Sequence, residues 1–246
     1  YWESIAPTET EHLLFIHLLG KGDRIVAQRD TLPGLGRFST TRLPSGRTWS
    51  SRYAIRIPAH AYAPDELTVS VGVYDATTGE RLRTPEDDDH VRFGSVRLTA
   101  PESTVPNPVQ IRFGEGMRLR GYDVSALTVA PGEPLTVTLY WEGAAPMPTD
   151  YTVSVQLIDA QWRKAAQSDA WPQDGAAPTS TWRKGQTLDE QRVLTIAEDA
   201  APGAYDLRLA VYAVQEGQIE HLPVRWGRNR TAEPHVVLTR IRVGAP

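Results

Sequence analysis

The densest cluster of candidate metal ligands in this 246-residue chain is Glu86-Asp87-Asp88-Asp89-His90. Three aspartates on a loop can offer carboxylate oxygens to calcium, a hard cation that prefers such ligands. The competing expectation is a solvated acidic loop, because the region answering to it later in the chain, Trp226-Gly-Arg-Asn-Arg-Thr231, is basic. Asn229-Arg-Thr231 also fits the glycosylation sequon. The six histidines are His12, His17, His60, His90, His221 and His235, and none stands in a His-Glu-x-x-His string. His12 and His17 lie five residues apart on one expected strand, so they face opposite sides and cannot share a metal. No Gly-x-Ser-x-Gly elbow announces a serine nucleophile. Gly34-Leu-Gly36 and Gly114-Glu-Gly116 lack the third glycine and the following helix of a dinucleotide site. The expectation is therefore no catalytic residue and no cofactor.

Aromatic residues are the other candidates for binding. Trp162 aligns with Asp23 in an expected hairpin turn, when residues are paired 139 apart, and Trp226 lies in a loop with no counterpart. Both rings are expected at the surface, able to stack on a sugar or a protein partner. Trp171 aligns with Leu32 and Trp182 with Leu43, so both are expected to fill apolar positions.

The pairing that sorts the tryptophans is an internal repeat. Tyr1-Trp2-Glu3 recurs as Tyr140-Trp141-Glu142, and the alignment continues without a gap for about sixty residues, through Ala6/Ala145, Pro7/Pro146, Thr10/Thr149, Ala27/Ala166, Gln28/Gln167, Asp30/Asp169, Pro33/Pro172, Thr40/Thr179 and Gly46/Gly185. Within each copy, apolar and polar residues alternate. Leu135, Val137, Leu139 and Trp141 point one way, as do Tyr151, Val153, Val155 and Leu157, and Tyr205, Leu207, Leu209 and Val211. The first copy shows the pattern at Leu14, Ile16 and Leu18 and at Leu67, Val69, Val71 and Val73. A period of two marks half-buried strands. The closing strands, near 91–98 and 236–243, are expected to carry Val96, Leu98, Ile241 and Val243 inward. Turn signals such as Ala130-Pro-Gly-Glu133 and Ala201-Pro-Gly203 separate the runs, and no sustained helical face is present. Seven to nine strands are expected in the second copy. The predicted fold is all-β: two tandem immunoglobulin-like antiparallel β-sandwiches, residues 1–101 and 108–246, joined by a Pro-rich linker at 102–107. Trp141, and Trp2 with it, is expected in the core.

Forty per cent hydrophobic and 23 % charged residues are values of a folded chain. A net charge of −4 gives no basic footprint for nucleic acid. Cysteine is absent, which removes disulfides and thiolate chemistry. The longest apolar run, around Leu13-Leu-Phe-Ile16, is too short to span a bilayer. Arg outnumbers Lys by 23 to 3, with two Asn and two Met, a balance that fits a thermophilic source or a GC-rich genome equally well.

Phe113-Gly-Glu-Gly-Met-Arg-Leu-Arg-Gly-Tyr-Asp123, Pro131-Gly-Glu-Pro-Leu-Thr-Val-Thr-Leu-Tyr-Trp141, Ala201-Pro-Gly-Ala-Tyr-Asp-Leu-Arg-Leu-Ala-Val-Tyr212 and Val73-Tyr-Asp-Ala-Thr-Thr-Gly-Glu-Arg-Leu82 together carry a resemblance. The chain resembles tandem extracytoplasmic sandwich modules attached to multi-spanning, glycosyltransferase-like bacterial membrane proteins of the lipid-linked-sugar type. The resemblance implies an extracellular or cell-surface location and an accessory role. The expected function is a non-catalytic spacer and protein-interaction surface within a larger surface or membrane-anchored protein. Its partners are then other subunits or the rest of its own parent chain. Alternatives are a carbohydrate-binding module using Trp162 and Trp226 on a cell-surface glycan, and a strand-exchanging subunit of a surface filament or array.

The first copy lacks counterparts of Val109–Phe113, Met117–Val124 and Leu135–Leu139, so the sequence reads as a fragment that opens in mid-repeat. A sandwich without those strands is expected to expose Leu14, Ile16, Val69 and Val71 beside an unpaired edge. A few hundred Å2 of uncovered apolar surface corresponds to on the order of 5–10 kcal/mol, comparable with a domain's net stability. Upstream residues of the same chain, or a strand donated by a neighbouring subunit, are expected to complete it.

Overall fold

Period-two runs bounded by turns produce sheets throughout the computed structural model, which describes residues 1–58, 61–227 and 229–244, with only the backbone of 229 and 230. The chain divides into two units, Tyr1–Ala59 with Asp65–Leu98, and His60–Pro64 with Thr99–Pro246. Among the described residues the non-strand elements are 3-10 turns and one four-residue helical turn, Pro33–Gly36. No helix among them is long and apolar enough to cross a membrane. The all-β sandwich reading holds.

Unit 1 contains β1 (Trp2–Ser4), β2 (His12–Gly20), β3 (Arg24–Thr31), β4 (Arg47–Trp49), β5 (Asp65–Asp75) and β6 (Val91–Leu98). They form a four-stranded antiparallel sheet, β3-β2-β5-β6, and a two-stranded ribbon, β1-β4. Unit 2 contains β7 (Ile111–Phe113), β8 (Met117–Val124), β9 (Thr128–Val129), β10 (Pro134–Gly143), β11 (Thr152–Asp159), β12 (Lys164–Ala170), β13 (Thr187–Thr195), β14 (Gly203–Gln215), β15 (Gln218–His221), β16 (Val224–Trp226), β17 (Asn229–Arg230) and β18 (His235–Val243). One sheet runs β13-β10-β8-β7-β16-β17 and the other β12-β11-β14-β18-β9, with β15 on β14. The strand count exceeds the expected seven to nine. The excess is in two- to four-residue strands such as β9, β15 and β17, too short to show a period.

The core of unit 2 is the interior that alternation marks. Leu135, Val137, Leu139 and Trp141 from β10 are buried against Val153, Val155 and Leu157 from β11 and Leu207, Leu209 and Val211 from β14. Trp141 packs edge-on against Phe113 and at 6.3 Å from Trp182, which is also buried. Trp171 departs from expectation and is 45 % exposed. It ends its extended stretch just before Pro172, and the buried proline takes the inward position instead, as Pro33 does in unit 1.

Residues shared by the two copies are hydrogen-bonding nodes. The Thr40 hydroxyl accepts from His12 N at 2.8 Å and donates to Thr10 O. Thr179, 139 residues later, does the same with Tyr151 N and Thr149 O. Gly46 N donates to Ser4 O, and Gly185 N to Gly143 O. Tyr74 donates to Asp30, and Tyr212 to Asp169. The ribbon register Trp2↔Trp49 and Glu3↔Thr48 repeats as Trp141↔Leu188 and Glu142↔Thr187. The β1–β4 ribbon is therefore the counterpart of one end of β10–β13.

Tyr62, which belongs to unit 2, packs edge-on to Tyr122 and donates its hydroxyl to Asp123. Burial, reinforced by the Asp123 carboxylate, pushes its phenol up to about 12. A raised phenol favours the protonated native form, so its contribution is complete below pH 10 and lost as pH climbs toward 12. Unit 2 should lose stability over that window, and Tyr62→Phe should flatten the loss. Denaturant midpoints at pH 9, 10 and 11 test this, and equal slopes for both proteins would refute it.

Candidate functional site

Sheet β3-β2-β5-β6 presents Leu18, Ile16, Val69, Val71 and Val73 on one face, opposite one another by register. On β6, Phe93 lies beside Val69, Val91 beside Val71 and Val96 beside Leu67. In unit 2 the corresponding pairs are Leu209↔Val236 and Tyr205↔Ile241, with Leu238 in the position of Phe93. The chemistry of these positions is alike, but their surroundings are not. Val236, Leu238 and Ile241 are 4 %, 0 % and 0 % exposed, whereas Val91, Phe93 and Val96 are 54 %, 57 % and 44 % exposed.

The difference is what lies above them. In unit 2, β8 and β7 cover the face. The Tyr122 hydroxyl donates to Leu238 O at 2.7 Å and Phe113 packs on Trp141 at 5.7 Å. In unit 1 the β1–β4 ribbon and residues 50–57 cover only part of it. Ser51, Tyr53, Ile55 and Ile57 alternate with exposed residues, as do Glu190, Arg192 and Leu194 of β13 and Ile196 just beyond it, yet they have no ladder partner among the described residues. These four, with Tyr1 and Trp2, enclose a cavity of about 770 Å3 against Ile16, Leu18, Val69, Val71, Val91, Phe93 and Val96. The expected open face thus needs correction. Leu14 and Ile16 are buried, Val69 and Val71 are half-buried, and the exposed strip lies on β6. Val96, expected inward in a closed core, faces the groove.

Among the described residues, unit 1 holds buried polar atoms without partners, two of them on residues that line the groove. Trp49 Nε1, Ser51 Oγ and Tyr53 Oη are enclosed and have no hydrogen-bond partner among the described residues. Buried polar atoms without partners are costly and uncommon in native structures. At the unit 2 positions of Ser51 and Tyr53 stand two charged side chains that pair with each other. Glu190, in the position of Ser51, accepts from Trp141 Nε1 at 2.8 Å and from Arg192 at 2.9 Å. Arg192, in the position of Tyr53, also donates to Ala170 O and Trp171 O.

Of the aspartates considered for calcium, Asp89 is engaged by Arg81 at 2.7 Å and by His90. Chiefly the His90 hydrogen bond, and then Arg81, hold its carboxyl down to about 2. Asp87 and Asp88 take backbone bonds to Thr84. No group of three acidic or histidine side chains among the described residues is placed to hold a metal ion.

Trp162 sits in the β11–β12 turn, 68 % exposed, at positive φ, with the Arg208 guanidinium 4.3 Å from its ring centre. Asp23 takes the same left-handed position in unit 1. Trp226 is half-buried on β16 against the core of unit 2. β11 and β16 belong to different sheets. The Asn229 side chain of the sequon lies outside the described residues.

No protein-family model matches the chain, and no curated protein matches it. Among solved structures it is similar to the crystal structure of the C-terminal domain of wzt, with a TM-score of 0.37 and 10 % identity, over 56 % of this chain and 83 % of that one. Likeness of that depth transfers neither family nor function.

Proposed function

We propose that this chain is a non-catalytic binding module whose working surface is the apolar groove of unit 1, presented to another polypeptide. The observation that carries the reading is the contrast between Val91, Phe93 and Val96 and their covered counterparts Val236, Leu238 and Ile241. Contiguous apolar surface of this kind marks interaction sites. An extracytoplasmic setting within a larger surface or membrane-anchored protein belongs to the same reading. It is supported by the Pro-Gly-Glu and Gly-Tyr strings at 113–123 and 131–141. In this role unit 2, with its closed core, is the rigid spacer and unit 1 the contact surface.

Anilinonaphthalene sulfonate, which fluoresces in apolar clefts, tests whether the groove is accessible. The intact chain should enhance its emission, and Phe93→Asp should weaken dye binding by roughly tenfold, as loss of a central apolar anchor does. Trp162→Ala should leave it unchanged. Absence of enhancement by the intact chain would sink the reading.

A further inference from the structure

We propose that the groove of unit 1 is completed by a β-stranded polypeptide segment with the chemistry of residues 109–139, added strand by strand to edges that unit 1 leaves open. The proposal rests on the reading of the groove as a polypeptide-docking surface and names what docks. Unit 2 displays the completed arrangement, and its registers transfer residue by residue. In unit 2, Leu135, Val137 and Leu139 of β10 face Leu194, Arg192 and Glu190 of β13. The counterparts of those β13 residues are Ile55, Tyr53 and Ser51, which have no ladder partner among the described residues. A strand of the Pro134–Leu139 type would lie along that edge. The neighbouring β8 pairs Leu119 with Trp141 and Arg118 with Glu142. The same edge of β1, at Trp2 and Glu3, is open, because among the described residues β1 pairs only with β4. Finally β9 runs parallel to β18, Val129 beside Val243, whereas β6 ends its sheet with no further neighbour among the described residues.

Side chains specify the occupant as closely as the edges do. A tyrosine at the Tyr122 position would reach the Phe93 carbonyl, as the Tyr122 hydroxyl reaches that of Leu238, and bring apolar cover over the β6 face. One at the Phe113 position would meet Trp2, as Phe113 meets Trp141. Glu3 is exposed, and its counterpart Glu142 is paired with Arg118 at 2.9 Å, so the occupant carries a basic residue there. Strand addition satisfies backbone groups through the ladder and selects side chains by alternation.

The test uses the intact chain and a synthetic peptide of residues 109–139, followed by hydrogen–deuterium exchange and dye displacement. The peptide should displace anilinonaphthalene sulfonate and slow exchange at residues 2–3 and 51–56 by roughly tenfold or more, as newly paired edge amides do. Phe93→Asp should weaken peptide binding by roughly tenfold. Glu3→Arg, at an exposed position that leaves the apolar face alone, should also weaken it, and a peptide carrying Arg118→Glu should restore binding to that variant. Dye displacement without edge protection would overturn strand addition while leaving the docking surface in place. Failure of the dye itself to bind would remove the underlying reading instead. Protection of the same amides that rises with protein concentration in the absence of peptide, and disappears in Phe93→Asp, would assign the groove to a second copy and overturn the proposal.

Discussion

Leu238→Asp is expected to abolish the cooperative unfolding transition of unit 2, whereas Phe93→Asp, the corresponding change in unit 1, should shift stability by no more than about 1 kcal/mol. Leu238 is fully buried in the core of the sandwich, its carbonyl accepting from the Tyr122 hydroxyl. Losing a buried leucine costs about 2–5 kcal/mol. Placing a carboxylate in the same apolar space adds several more, or forces it to take up a proton. Together these are on the order of the entire net stability of a domain. Phe93 occupies the same place on an equivalent strand but is more than half exposed, so a carboxylate there remains in water. Urea unfolding with amide exchange read at β11 and β14 for unit 2 and at β2 and β5 for unit 1 separates the two outcomes. Comparable losses from both substitutions would mean that the β6 face is covered in solution, and the groove would cease to be a site.

Glu190→Ala should cost unit 2 about 3–5 kcal/mol, the range for breaking a buried ion pair by removing one partner. Glu190 and Arg192 are each 2 % exposed. Removing the carboxylate leaves the buried Arg192 guanidinium with only the exposed Asp174 at 3.4 Å and the Ala170 and Trp171 carbonyls, and deprives Trp141 Nε1 of its acceptor. For a unit of this size the loss corresponds to a melting temperature lower by on the order of 10 °C. Glu190→Leu combined with Arg192→Leu should recover much of the deficit, because apolar replacement of both partners removes the desolvation burden with the attraction. The cycle of single and double variants, melted side by side, decides the point. Additive losses would show that the two side chains are not coupled.

The architecture was legible because most inward positions follow strict alternation. Val153, Val155 and Leu157, or Leu207, Leu209 and Val211, could be assigned to the interior from spacing alone, and all are fully buried. Glu190 and Arg192 were not legible, since charged residues on an inward face read as solvent-facing in any pattern of polarity. Their partners come from Trp141 and from the turn after β12, and sequence spacing does not bring those together. Trp182 is buried, as an apolar repeat partner suggests, but Trp171 is not, because a proline one residue later changes which side chain turns inward. The deficit in unit 1 was visible as unmatched strands. Its location was not, because coverage of Leu14 and Ile16 depends on the path of residues 50–57, an extended segment without a ladder. The binding candidates fared unevenly for a similar reason. A turn position at positive φ keeps Trp162 outside, while Trp226 joins a short strand that draws it against the core.

The shared register of β1–β4 and β10–β13 has a further consequence, which concerns the route to the folded state. A nascent or refolding chain holds two acceptors for the segment 109–139: the remainder of unit 2, and the open edges of unit 1. Near-equivalent pairings of this sort are the source of kinetic traps in tandem proteins. Differences between the copies act as address labels against such mispairing. The Glu190–Arg192 pair in unit 2 stands where unit 1 has Ser51 and Tyr53, so the inward faces of the two acceptors differ in charge as well as in shape. A buried ion pair that adds little net stability can still earn its place by telling the chain which half is which.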